Sequence, residues 1–150
     1  MSTDPIIPMT VGIDALAERV RDIHSADPGL VIALTGSVAS GKSTLARHLE
    51  QSLKPGLSVE TVSTDGFLFM TQYLRDTGLF ERKGFPETYD YAAMQAAIAS
   101  VRTDPTDFPG YSHVTFDPDP ALTRTVPPSD VVILEGLGFR PRSEASGPNE

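Results

Sequence analysis

The sequence predicts an α/β fold, a parallel sheet flanked by helices, and three observations carry that prediction. Leu30–Leu34 and Val131–Leu134 are short, wholly apolar runs, which is how strands buried on both faces read. Segments with apolar residues at helical spacing lie between the strand-like runs, and such alternation calls for parallel pairing. The third is Gly36-Ser37-Val38-Ala39-Ser40-Gly41-Lys42-Ser43, which meets G-x-x-x-x-G-K-[ST] directly after the first run. That pattern is the P-loop, so the sheet expected is of the P-loop NTPase type.

The elements follow in order. Residues 1–9 contain Pro5 and Pro8 and are expected to form a loose arm. From Thr10 to His24, Ile13, Leu16, Ala17, Val20 and Ile23 share one helical face, and His24 reads as a surface residue at the helix end. After the P-loop, Leu45, Leu49 and Leu53 recur every fourth residue, and Lys54-Pro55-Gly56 stops that helix. Leu57 to Ser63 alternates as a second strand and ends at Thr64-Asp65-Gly66-Phe67. Residues 73–89, broken by Gly78, Gly84 and Pro86, read as an ordered excursion over the site rather than as core. Tyr91 to Val101 is helical, with Met94, Ile98 and Val101 on one side. Residues 103–120 hold four prolines without periodicity and read as a long loop, with a short strand at Arg124–Val126. Val131–Leu134 is the third sheet strand, near the end of the sequence. One of its faces is therefore expected to lack a cover, and its free edge to invite association. Residues 10–139 are read as the N-terminal part of one P-loop domain and 140–150 as a frayed tail.

Composition narrows the function. The formal net charge of -8 argues against a nucleic-acid backbone as the main partner. The absence of cysteine excludes disulfides, thiolate chemistry and Cys-zinc sites. The apolar runs are too short to span a bilayer, and Met-Ser-Thr-Asp-Pro lacks the features of a signal peptide, so a cytoplasmic location is expected.

The strand–loop–helix order is what a polyphosphate needs. Glycines let backbone N–H groups come close, and the helix start adds unpaired donors and a positive dipole end. Lys42 then reaches the β- and γ-phosphates of ATP, and the Ser43 hydroxyl serves Mg²⁺. If the three strands are parallel, the P-loop, Asp65 and Glu135 meet at one sheet edge, where ligands of such sheets sit. Glu135 occupies the place of the acidic residue that supports Mg²⁺; the alternative is a carboxylate leaving the sheet into solvent. Spacing leaves Asp65 two readings, a base for an acceptor hydroxyl or an Asx-turn or helix cap. Arg82 and Lys83 read as a solvated loop in preference to phosphate-neutralising groups. Tyr111, His113 and Phe116 form a polar–aromatic cluster that reads as a substrate pocket or as structure.

Five segments in one order resemble bacterial type I pantothenate kinase, in the P-loop kinase group that includes uridine kinase and phosphoribulokinase. They are Gly36–Thr44, Ser63–Phe67, Arg82–Asp90 (Arg-Lys-Gly-Phe-Pro-Glu-Thr-Tyr-Asp), Tyr111-Ser112-His113 and Ile133–Leu137. The resemblance implies ATP-dependent phosphorylation of the pantothenate hydroxyl, the first step towards coenzyme A. It implies that Gly36 to Thr44 and Arg47 bind nucleotide, Arg47 meeting phosphates of ATP or of the feedback inhibitor coenzyme A. It makes Lys42 and Ser43 the phosphate and Mg²⁺ residues, Lys42 and Asp65 catalytic, and Asp65, Tyr111 and His113 the pantothenate contacts, while Glu135 stays the Mg²⁺ candidate read from its place after the strand. A homodimer is implied for the full-length family. The sequence departs from the family at Phe116, where a tyrosine is usual, and at Gly138, where asparagine is common. It also stops soon after the Glu135 strand, so a truncated chain and a poor kinase in isolation are expected. A kinase for a nucleoside or sugar, and a nucleotide-binding module without catalysis, stand as the alternatives.

Overall fold

The computed structural model describes residues 11–36 and 41–136. The arm expected at 1–9, the tail expected at 140–150, Gly138 and the P-loop residues Ser37, Val38, Ala39 and Ser40 lie outside the described residues. The elements run α1 (Ile13–Ala26), β1 (Leu30–Leu34), α2 (Lys42–Leu53), β2 (Val59–Ser63), α3 (Thr71–Asp76), α4 (Tyr91–Val101), β3 (Thr106–Ser112), β4 (Asp117–Val126) and β5 (Val131–Glu135). Short 3₁₀ turns occupy Asp65–Phe67, Phe80–Arg82 and Pro86–Thr88. No helix among the described residues is long and apolar enough to cross a membrane.

Three strands form a parallel sheet in the order β1-β5-β2. β5 is therefore central, which corrects the expectation of an uncovered last strand. Alternation explains how one apolar run serves two cores. Val131 and Ile133 pack with Ala17, Val20, Ala46, Leu49 and Leu53 of α1 and α2. Val132 and Leu134 face the other way, among Phe67, Met94, Val101, Phe108 and Val126. The edges belong instead to β1 and β2, each of which pairs only with β5 among the described residues. α1 and α2 are tied by Arg21, whose guanidinium donates to the Ser52 carbonyl. Asp90 caps α4, its carboxylate accepting from Ala93 N at 3.1 Å.

The long loop expected at 103–120 is a second, antiparallel sheet of β3 and β4. Prolines hide strands from a periodicity reading because they lack a ladder donor, yet edge strands and bulges tolerate them. Pro109 sits where the register shifts between Phe108 and Gly110, and Pro118 and Pro120 lie on β4, whose outer stretch faces solvent. The segment 73–89 is ordered as expected, but it also contributes core. Leu74, Thr88 and Tyr89 are buried.

Candidate functional site

Register brings the strand ends together. Leu34 and Ser63 both pair with Glu135. Just beyond, Gly136 N donates to the Leu34 carbonyl at 3.0 Å, and Thr64 N to the Glu135 carbonyl at 3.0 Å. The end of β1, Glu135 and Asp65 thus share one edge of the sheet.

Gly41 precedes α2 at φ 89°, a conformation glycine adopts without strain, and Lys42 and Ser43 open the helix. The Ser43 hydroxyl donates to Glu135 Oε1 at 2.5 Å across a sequence gap of 92 residues. Two hard oxygen donors in contact at a helix start suit a small divalent cation whose other ligands are phosphate and water. Thr44 and Arg47 lie exposed on the first turns of α2.

Asp65 opens a 3₁₀ turn whose N-cap residue, Thr64, makes no side-chain cap hydrogen bond. The Asp65 N–H donates to Ser63 Oγ at 3.2 Å. Gly66 is there for close approach: a Cβ on it would lie 1.8 Å from the Pro109 carbonyl oxygen. Only glycine lets the Asp65 turn press against the β3 bulge, and behind it Phe67 meets Phe108 edge-on with ring centroids 5.9 Å apart. The result is a cleft of about 190 Å³ lined by Asp65, Ser63, Tyr111, His113 and Arg124 among others. Tyr111 and His113, two residues apart, have rings in edge contact at 5.2 Å. Phe116 is not part of this wall; it is 63% exposed in the turn before β4. The aromatic cluster expected from the sequence therefore divides, two members in the cleft and one outside.

Residues around the cleft complete its setting. Tyr89 is buried, and burial together with the nearby Asp65 charge pushes its phenol well above the usual range, so it stays protonated. Arg124 bridges the hairpin to β2, donating to the Thr61 carbonyl at 3.0 Å and to the Glu60 carboxylate. Ser112, read only as the middle of a motif, accepts from both Val114 N and Thr115 N at 3.2 Å and so shapes the turn. Arg82 pairs with Glu87 and lies over the Phe85 ring, as a surface loop residue would. Lys83 differs from the solvated-loop reading, since its ammonium donates to the Thr71 hydroxyl and the Phe116 carbonyl.

A parallel sheet whose first strand feeds a P-loop helix, with a serine–glutamate pair at the strand ends, defines a P-loop kinase fold. Residues 31–139 match the family model described as "Phosphoribulokinase / Uridine kinase family", and the chain belongs to that family. The chain is similar to the pantothenate kinase of Lactococcus lactis subsp. lactis (strain IL1403), 41% identical over 114 residues, covering 73% of this chain and 37% of that protein. It is also similar to the pantothenate kinase of Bacillus subtilis (strain 168), 40% identical over 139 residues, covering 83% and 43%. Among solved structures, a protein provisionally described as a fructose transport system kinase, from Silicibacter sp. TM1040, superposes with a TM-score of 0.75 at 28% identity. That match covers 85% of this chain and 64% of that one. The chain thus spans well under half the length of these two pantothenate kinases.

Proposed function

We propose that the chain is the nucleotide- and acceptor-binding part of a kinase that transfers the γ-phosphoryl group of ATP to the primary hydroxyl of pantothenate. The observation that carries this is the shared edge: the Ser43–Glu135 contact and the Asp65–Tyr111–His113 cleft stand on neighbouring strand ends. The identity of 41% and 40% with pantothenate kinases supports the choice of acceptor.

In this reading the backbone from Gly36 to Thr44, with Lys42 and Arg47, holds the ATP phosphates. Ser43 and Glu135 would hold Mg²⁺, which when bound neutralises charge on the phosphates. Asp65 takes the proton of the acceptor hydroxyl, and Tyr111 and His113 orient that hydroxyl for in-line attack. The reaction conserves atoms: the acceptor oxygen bonds to phosphorus, the bond from phosphorus to the β–γ bridging oxygen breaks, ADP leaves and the proton goes to Asp65. Coenzyme A, sharing phosphate chemistry with ATP, competes at Arg47, and the full-length protein works as a cytoplasmic homodimer.

The likeness to the Silicibacter kinase and membership of the phosphoribulokinase/uridine kinase family favour a second reading, a sugar or nucleoside alcohol as acceptor. Calorimetry with ATP-Mg, pantothenate, uridine and fructose separates them, alongside ADP release with each acceptor. Pantothenate alone binding, and alone raising ADP release, is the expected result. Preference for uridine or fructose overturns the acceptor, and ATP binding without any acceptor leaves a nucleotide-binding module.

A further inference from the structure

The turn between β3 and β4 carries His113 at its start and ends in a backbone conformation that needs holding. Phe116 has φ 57°, left-handed, a region bulky side chains rarely enter. Its ring is exposed, so core packing does not fix it there. What grips it is polar. The Lys83 ammonium donates to the Phe116 carbonyl and, at 3.1 Å, to Thr71 Oγ1. The Thr71 hydroxyl itself lies 3.4 Å from the same carbonyl. The next residue, Asp117, accepts from Thr71 N at 2.7 Å. Lys83 Nζ also stands 5.5 Å from the centroid of the Tyr111 ring, within cation–π range. Yet Lys83 does not line the cleft that Tyr111 and His113 line.

We infer that Lys83 is a positioning residue: it acts on the acceptor through the turn it holds and through the Tyr111 ring, without being a phosphate or acceptor ligand itself. This rests on the acceptor reading of the cleft. The ammonium's three donors match the arrangement, two directed at oxygens and the charge facing a ring. Without it, the Phe116 carbonyl keeps only the long contact to Thr71 and the left-handed residue loses its strongest restraint. The turn then samples other conformations, and Tyr111 and His113 lose their common wall.

The test uses the 150-residue chain and two readouts. Amide hydrogen exchange at Val114, Thr115 and Phe116 in the ligand-free protein reports the turn; calorimetry reports pantothenate and ATP-Mg affinities separately. Lys83→Met should speed exchange in the turn about tenfold or more, as loss of a charge-assisted hydrogen bond implies, with β5 unchanged. It should weaken pantothenate by a similar factor and leave ATP-Mg affinity as it was. Lys83→Arg, which keeps donors and charge, should recover most of both effects. Phe116→Asn, placed in the Lys83→Met background, should recover part of the pantothenate affinity, because asparagine tolerates the left-handed region. Unchanged turn exchange in Lys83→Met, an equal loss of ATP-Mg affinity, or no recovery with arginine would each overturn the positioning role. If the parent chain binds none of pantothenate, uridine and fructose, the acceptor reading fails on its own. Turn exchange in Lys83→Met and Lys83→Arg then still decides whether Lys83 holds the turn.

Discussion

On the phosphate side, Ser43 and Glu135 meet because three parallel strands run in register and stop together. On the acceptor side, Tyr111 and His113 reach the cleft because a bulged hairpin is tied down one polar contact at a time, by Arg124, Lys83 and Asp117. The first construction is regular and its position follows from the sheet. The second is irregular and depends on side chains distant in sequence. Substitutions on the two sides should therefore fail differently.

The largest contrast lies between Lys42→Met and Asp65→Asn. In the proposed reading Lys42→Met should abolish tight ATP binding, and turnover with it, while the thermal midpoint holds, since the residue opens α2 outside both core clusters. Asp65→Asn keeps shape but cannot take the proton, so ADP release should fall roughly 10²–10⁴-fold with ATP affinity retained. Turnover within a few-fold of the parent in the Asn variant would remove Asp65 as base.

Gly66→Ala sharpens the comparison by injuring one side. Its Cβ collides with the Pro109 carbonyl, and forced overpacking costs about 1–3 kcal/mol. Urea unfolding should show that loss, and pantothenate binding should weaken more than ATP binding. Equal losses of the two ligands would mean that the hairpin and the strand ends behave as one unit.

A smaller effect is expected at Asp90, whose carboxylate caps α4. Asp90→Ala should cost about 1 kcal/mol in urea unfolding and leave ATP affinity unchanged, because α4 backs the hairpin side.

The smallest is a pH effect. Asp130 sits below the usual carboxylate range because Ser58 N–H and then its hydroxyl donate to it, against some desolvation. For Asp117 desolvation pulls upward, but donation from Thr71 and the charges of Lys83 and Arg75 bring it net below. A carboxyl depressed in the folded state adds stability above its unfolded pKa, near 4, and loses it as pH falls through the folded value. Stability should thus be flat from pH 7 to about 5 and decline below about 4. Asp117→Asn should lessen that decline for the turn amides, and Asp130→Asn for the amides at the start of β5.

The sequence made the phosphate side legible for a physical reason. Buried parallel strands must be apolar throughout, so Leu30–Leu34 and Val131–Leu134 stand out, and the glycines of a P-loop cannot be exchanged freely. Sheet order was not legible, because Val131–Leu134 is as apolar at the centre as it would be at an edge. The hairpin was hidden by Pro109, Pro118 and Pro120 and by a bulge that breaks the alternation. Asp65, Tyr111 and His113 could be picked out as residues, but not the partners that aim them. The reach of Lys83 to Phe116 or of Arg124 to Thr61 follows no local spacing rule.

The central place of β5 also governs when this molecule can become itself. β1 and β2 do not pair with each other; residue 30 and residue 59 both wait for residue 131. Closing such long loops costs chain entropy before any ladder bond repays it, which slows folding relative to a hairpin such as β3–β4. On the ribosome the P-loop emerges early, yet the glutamate that meets Ser43 emerges almost a hundred residues later. The nascent chain therefore carries its P-loop motif through the addition of the 92 residues that separate Ser43 from Glu135, without a sheet to hold it. Ser43 and Glu135 come together only when β5 is inserted between β1 and β2.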